Sequence, residues 1–348
     1  MRDVSCDLKI RTVRGDISPE DLGITLSHEH LLFDLKAWAP QVSEASQIAL
    51  SESPVHIEIL GALHRNPEIN IDNLRQLDVK LAIEEASYFK WAGGSSIVDC
   101  TTVGLSRDVR GLRTISEATG LNVIAGTGFY LAQSHPKYVH EKTAEELAAL
   151  MVDEIHRGVS DTGIRCGIIG EIGTSWPIDP EEEKVLRAAA YAQQKTGAAL
   201  SVHPYPWGKF AHKILDILQE EGTDLTRTVM EHIDSCGFDA EYPASLAKRG
   251  CYVEFDTFGA EYYHDSYGTF EPTDRERVAD VMELMKQGYV SQILLSHDLS
   301  FKTMLKKYGG YGYDHLPTHI LPSFRRAGVT ESDISAMISE NPRKMLAF

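Results

Sequence analysis

Eight short runs rich in Val, Ile and Leu recur along the chain, each followed by a loop and then a helical pattern. This rhythm constrains the fold more than any other feature. The runs are ITLSHEH (Ile24 to His30), SIVDCT (Ser96 to Thr101), NVIAGTG (Asn122 to Gly128), CGIIGEIG (Cys166 to Gly173), ALSVHP (Ala199 to Pro204), RTVMEHID (Arg227 to Asp234), CYVEFDT (Cys251 to Thr257) and QILLSHD (Gln292 to Asp298). Short apolar runs alternating with helices indicate a parallel sheet buried on both faces. Eight such units in one chain fit a closed (β/α)8 TIM barrel better than an open sheet. The 348 residues would allow two domains at roughly 150 residues each, but no linker or composition shift divides them. The expectation is one α/β barrel domain over residues 1–348.

The helices carry their own signals. Thr143 followed by Glu146 is a capping box, with Leu147, Leu150, Met151 and Ile155 after it at helical spacing. Val185, Ala188, Ala189 and Ala192 repeat the pattern, and Gly197 is a C-terminal stop. A last helix begins at Thr330 and runs toward Asn341-Pro342. The segment from Asp34 to Asn70, with Trp38, Pro40, Pro54 and Pro67, breaks the rhythm. It reads as a long insertion after strand one, with a helix near Ser53 to Leu63, lying over one mouth of the barrel.

Charge narrows the function. Lys and Arg number 34 against 51 Asp and Glu, a net charge of −17. Such a chain repels phosphate backbones, so nucleic acid and anionic membranes are not its expected partners. Five cysteines, none in a CxxC pair, argue against a disulfide framework or a cysteine zinc site and point to a reducing, cytoplasmic setting. MRDVSCDLKIRTVRG lacks the apolar core of a signal peptide, and no run reaches the ~18 apolar residues of a membrane span.

Barrel enzymes place their chemistry at the carboxyl ends of the strands. Strand one ends in His28-Glu29-His30, where alternation puts the two histidines on one face and Glu29 on the other. Strand four ends with Glu171, strand five with His203, strand six with His232 and strand eight with Asp298. A lone His-x-His is a weak signal, but four histidines and two carboxylates at one end of one barrel are not readily a coincidence. Imidazole and carboxylate suit Zn²⁺ or a similar ion. Six ligands exceed one tetrahedral ion, so the economical reading is two divalent ions, zinc by ligand type, sharing a carboxylate. Tyr130, Trp176, Tyr205 and Asp256, on loops or strand ends nearby, are the expected substrate contacts. Tyr262 reads more as packing, and Lys209, Arg107 and Lys302 as solvated surface rather than anion binders.

With those residues in view, the chain resembles the phosphotriesterase family of the amidohydrolase superfamily. The likeness runs through TVRGDISPEDLGITLSHEH, GIIGEIGTSWP, KYGGYGYDHL and ENPRKM, and is strongest to the phosphotriesterase-related branch, also described as resiniferatoxin-binding. The resemblance implies that His28, His30 and Asp298 hold the more buried ion and His203 and His232 the more exposed one. Many members bridge the pair with a carboxylated lysine. No lysine lies between Cys166 and Gly173 here, so Glu171 would bridge. Asp298 would be the catalytic proton acceptor for a water activated between the ions. Thr257 follows Asp256 where organophosphate-degrading members carry a relay histidine, and Ser235 stands where that relay would end. The expected activity is therefore hydrolysis of a small ester, lactone, N-acyl amide or phosphotriester. The alternative is a ligand-binding protein with little or no turnover, which a missing ligand would favour, and all six are present. The resemblance also implies a homodimer.

Overall fold

The computed structural model describes residues 8–237 and 239–348. Cys6 lies outside the described residues, and Cys100, Cys166, Cys236 and Cys251 are free thiols. The barrel strands are β1 (Thr25–Glu29), β2 (Ser96–Asp99), β3 (Asn122–Thr127), β4 (Ile168–Gly173), β5 (Leu200–His203), β6 (Thr228–Met230), β7 (Tyr252–Phe255) and β8 (Ile293–Leu295). They form one 8-stranded sheet in sequence order, every ladder parallel. At the seam between β8 and β1, Ser27 Oγ donates to the Leu295 carbonyl at 3.2 Å and the His28 amide donates to Ser296 Oγ at 3.1 Å. The sheet is thus a nearly closed TIM-type barrel, as the alternation of runs predicts.

The helices pack outside the strands for the reasons the sequence gives. Helix Ala144–His156 has both halves of its capping box at Thr143 and Glu146. It buries Leu147, Met151 and Ile155, each such side chain contributing about 1.5–3 kcal/mol. Leu150, expected on the same face, is instead exposed, because it falls on the solvent edge of the apolar stripe. Helix Pro180–Thr196 buries Val185, Ala188, Ala189 and Ala192 and stops at Gly197 in the left-handed conformation. No helix among the described residues is long and apolar enough to cross a membrane.

Inside the barrel the two ends differ. Ile124, Ile168, Val229, Tyr252 and Leu294, near the starts of their strands, pack with Ile10, Leu22, Met345 and Leu346 and seal the amino-terminal end. The carboxyl end is left to polar side chains. A two-residue ladder, Phe33–Asp34 with Arg75–Gln76, pins the base of the insertion. The helix expected near Ser53 to Leu63 is present in its second half only: a 3-10 turn at Ile57–Ile59 runs into helix Leu60–Arg65, and a separate helix, Ala45–Glu52, precedes it. The two are parted at Ser53-Pro54, because Pro54 lacks an amide proton and disfavours the helical conformation of Ser53 before it. The insertion reaches the loop after β7 through Arg65 to Asp265 at 2.8 Å and Asn66 to Ser266 at 2.8 Å.

Candidate metal centre and cavity

The strand ends bring all six expected ligands together. His30 Nε2 lies 3.2 Å from Glu171 Oε1 and 3.2 Å from Asp298 Oδ1, and His28 Nε2 lies 3.6 Å from Asp298 Oδ1. On the other side, His203 Nδ1 lies 3.3 Å from Glu171 Oε2 and 2.8 Å from His232 Nε2. Glu171 therefore presents one oxygen to the His30 side and the other to the His203 side. These spacings match donors around common ions at ligand distances of about 2.0–2.2 Å.

The local backbone is shaped to aim these groups. His232 and Asp298 adopt φ of +53° and +46°, a left-handed conformation costing roughly 1–2 kcal/mol outside glycine. Strain of this kind persists where the surroundings over-determine it and clusters at functional sites. The His232 amide donates to Asp256 Oδ1 at 3.0 Å and the Asp298 amide to the His28 carbonyl at 3.3 Å. In β4 the parallel pairing with β5 shifts register between Ile169 and Ile172. Gly170 sits in that shift at φ +134°, where a Cβ would come within 2.5 Å of the Ser201 carbonyl. Only glycine lets the strand approach so closely and deliver Glu171 to the mouth.

A supporting layer fixes the imidazoles. Asp256 lies fully buried behind them, with Oδ1 bonded to His232 Nδ1 at 2.9 Å and Oδ2 3.1 Å from His28 Nδ1 but out of line for a hydrogen bond, and Thr101 Oγ1 stands 2.9 Å from His30 Nδ1. Ligating histidines are commonly held this way by carboxylates or hydroxyls. Glu29, on the opposite face as alternation requires, accepts from Ser296 Oγ, the His297 and Leu299 amides and His297 Nδ1 at 2.6–3.0 Å. It straps β1 to the turn that carries Asp298.

The charges show what the site lacks. Burial alone would lower His30, but hydrogen bonds it donates to the Asp298 and Glu171 carboxylates outweigh it and raise it to about 10. Burial would likewise lower His232, yet the Asp256 carboxylate raises it to about 10. Burial would raise Glu171, but hydrogen bonds to His203 and His30 hold it well below the usual carboxylate range. Burial raises Glu231 to about 8 and raises Glu254. Both nitrogens of His28, both oxygens of Glu231 and Glu254, and Asp256 Oδ2 are buried without a hydrogen-bond partner. Leaving so many buried polar atoms unpaired is expensive, and cations among them relieve it. Donor atoms of His28, His30 and Asp298 lie within 4.8 Å of one another, as do those of His28, Glu171, Glu231 and His232, and of His28, Glu254 and Asp256. The residues present thus fit a metal site of binuclear type.

A cavity opens above this cluster. Its lining includes His30, Glu171, His203, His232 and Asp298, together with Tyr130, Trp38 and Tyr262. Tyr130 OH accepts from Trp38 Nε1 at 3.1 Å and stands 3.3 Å from His203 Nε2. Tyr262 faces the cavity while bonding Thr303 at 3.0 Å. Three expected substrate contacts lie elsewhere. Asp256 is a layer below the cavity floor, outside its lining. Trp176 and Tyr205 line an adjoining cleft that shares Trp38 and His203 with the cavity, and Trp176 stacks on Phe210 at 3.8 Å. Arg107, Lys302 and Lys209 pair with Glu154, Asp72 and Asp239. The sequence reading missed Glu231, Glu254, Glu68, His264 and Glu271. Period-two alternation from Asp256 could have found Glu254, but the others had no local signal.

Comparison with known proteins agrees with this site. The sequence pattern of the Phosphotriesterase family matches residues 8–346. An N-acetyltaurine hydrolase from Bos taurus is 40% identical over 345 residues, covering 98% of each chain. A phosphotriesterase-related protein from Nematostella vectensis is 41% identical over 343 residues, covering 97% of this chain and 98% of its own. The crystal structure of a resiniferatoxin-binding protein from Rhodobacter sphaeroides superposes with a TM-score of 0.95 at 41% identity, covering 97% of this chain and 94% of that one. The chain belongs to the phosphotriesterase family and is a hydrolase of that family.

Proposed function

We propose that the chain is a hydrolase using two zinc ions per chain and acting on a small N-acyl amide, ester or lactone in preference to a phosphotriester. His28, His30 and Asp298 would hold one ion, His203 and His232 the other, and Glu171 would bridge them. The observation that carries the reading is the divided Glu171 carboxylate, one oxygen 3.2 Å from His30 Nε2 and the other 3.3 Å from His203 Nδ1. Ions bound there supply Lewis acidity and bring the pKa of a water toward neutrality.

The chain's own residues account for the rest. Asp298 is the ligand carboxylate with a side chain 20% exposed, whereas Glu171 is closed off. Asp298 therefore takes the proton of the attacking water and returns it to the leaving group. Tyr130, its oxygen already accepting from Trp38, donates to the substrate's carbonyl oxygen as charge develops there. Leu35, Leu74, Phe301 and Met304 give the cavity apolar walls that exclude bulk water and fit an acyl chain. Phosphotriesters are disfavoured because the relay positions are engaged. Thr257 donates to Asp234 at 2.7 Å and Ser235 to Glu271 at 2.7 Å. The N-acyl amide class is supported by the bovine relative's activity.

The test is a panel of esters, lactones and N-acyl amides, assayed before chelation, after it, and after zinc is restored. Metal-dependent turnover, lost in Asp298→Asn with metal retained, supports the reading. Unchanged turnover in that variant rejects the proton role, and turnover indifferent to chelation rejects the metal role.

A further inference from the structure

The cavity ends, away from the ligand cluster, on a wall that the hydrolytic chemistry does not use. Glu68 comes from the insertion after β1, and His264 and Glu271 from the segment after β7. His264 Nδ1 lies 2.5 Å from Glu68 Oε1, and its Nε2 lies 3.5 Å from Glu271 Oε1. Glu271 is saturated, accepting from Trp207 Nε1 at 2.8 Å, Ser235 Oγ at 2.7 Å and Arg277 Nη2 at 3.2 Å. Glu68 is not. It is 2% exposed, and its Oε2 is buried with no hydrogen-bond partner.

The charge of this wall is negative. Burial would lower His264, but Glu271 and Glu68 raise it to about 9, so it is a cation bonded to Glu68 through Nδ1, with Nε2 near Glu271 but without a hydrogen-bond partner. Arg277 lies behind at 0% exposure, shared among Asp234, Glu271 and Asp274. Four carboxylates thus stand against two cations, and the cavity lining contains no lysine or arginine. A sulfonate or carboxylate reaching this wall would meet an anion in a poorly solvated site. A donor would satisfy its unpaired acceptor, and a hydrogen bond to a charged group is worth about 1.5–3 kcal/mol.

We propose that Glu68 is the acceptor of a distal subsite selecting substrates whose non-reacting end is a hydrogen-bond donor, an ammonium above a hydroxyl, and rejecting those ending in a sulfonate or carboxylate. This rests on the hydrolase reading above and adds a substrate class to it. His264 and Glu271 are positioning residues that hold Glu68 in place.

The experiment compares three compounds with one acetamide-ethyl core, N-acetylethylenediamine, N-acetylethanolamine and N-acetyltaurine. Binding to the zinc-loaded protein is read by tryptophan fluorescence within seconds of mixing, since Trp38 and Trp207 line the cavity, and hydrolysis is read separately. The ammonium compound should bind about 10- to 100-fold tighter than the sulfonate, with the hydroxyl between them. Glu68→Gln should collapse that preference and Glu68→Lys should reverse it. The wild-type order alone decides the matter if the variants misfold. Equal or tighter binding of the sulfonate, a preference unchanged in Glu68→Gln, or no binding of any compound overturns the proposal. The predicted binding order without hydrolysis would leave the subsite standing and sink the hydrolase reading. Hydrolysis of all three with equal binding would do the reverse.

Discussion

Glu29 offers a sharp test of how the barrel holds its chemistry, because it faces away from the cavity and touches no substrate. Its carboxylate is fully buried and accepts from Ser296 Oγ at 2.7 Å, the His297 amide at 3.0 Å, His297 Nδ1 at 2.6 Å and the Leu299 amide at 3.0 Å. Glu29→Ala leaves four donors without this acceptor. At about 1–3 kcal/mol for each unsatisfied group, the upper limit is near 12 kcal/mol. Ser296 can fall back on the His28 carbonyl at 2.6 Å, and water can enter the space left behind. Breaking one buried ionic partner typically costs about 3–5 kcal/mol, and we expect about 4 kcal/mol here. That is a large share of the 5–15 kcal/mol typical of a folded domain. Asp298 lies between the two residues whose amides Glu29 holds, so metal content should fall along with stability. Urea unfolding of the metal-free proteins, with metal per chain measured on the loaded ones, makes the comparison, and the exposed Glu58→Ala serves as the control. A loss under 1 kcal/mol with metal content unchanged would refute the strap.

Other consequences are as specific. Asp256→Asn places an amide against one of the two histidines that its oxygens hold, and should weaken metal affinity about 10- to 100-fold. Competition with a chelating dye reads this, and wild-type affinity would contradict it. Glu171→Ala should bind fewer ions per chain, whereas Tyr130→Phe should bind as many as the wild type. Elemental analysis distinguishes them, and full loading of Glu171→Ala would rule out the bridge. His264 sets a pH dependence away from the metal ligands. Its folded pKa of about 9 lies above the ordinary 6.5, so its contribution is complete below pH 6.5 and disappears as pH rises through 9. The contribution is roughly 3 kcal/mol from a shift of that size. The stability gap between wild type and His264→Asn should therefore narrow from pH 6.5 to above 9, and a gap constant with pH would contradict the pairing.

Much of the site was legible because strands have a strict period of two. Alternation turned His28 and His30 inward and Glu29 outward, and the ends of the apolar runs located Glu171, His203, His232 and Asp298. Alternation says which way a side chain faces but not how deep it lies, so Asp256 read as a substrate contact when it sits beneath the histidines. Glu231 escaped because β6 ends at Met230 and left-handed His232 breaks the period just beyond it. Trp176 and Tyr205 line the cleft beside the cavity rather than the cavity itself, because loop conformation, not local pattern, decides which cleft an aromatic lines. Glu68 and His264 meet across 196 residues of sequence, between two segments whose docking no local rule encodes. Glu29 meets His297 across 268 residues, so its face was legible and its task was not.

The account depends on cations gathered by the six strand-end ligands, and anomalous diffraction from crystals grown with zinc tests that most directly. Two strong zinc peaks per chain are expected at the carboxyl end of the barrel. One should lie among His28, His30 and Asp298, the other between His203 and His232, with a Glu171 oxygen against each. A single peak, peaks elsewhere, or a Glu171 turned away from both would contradict it.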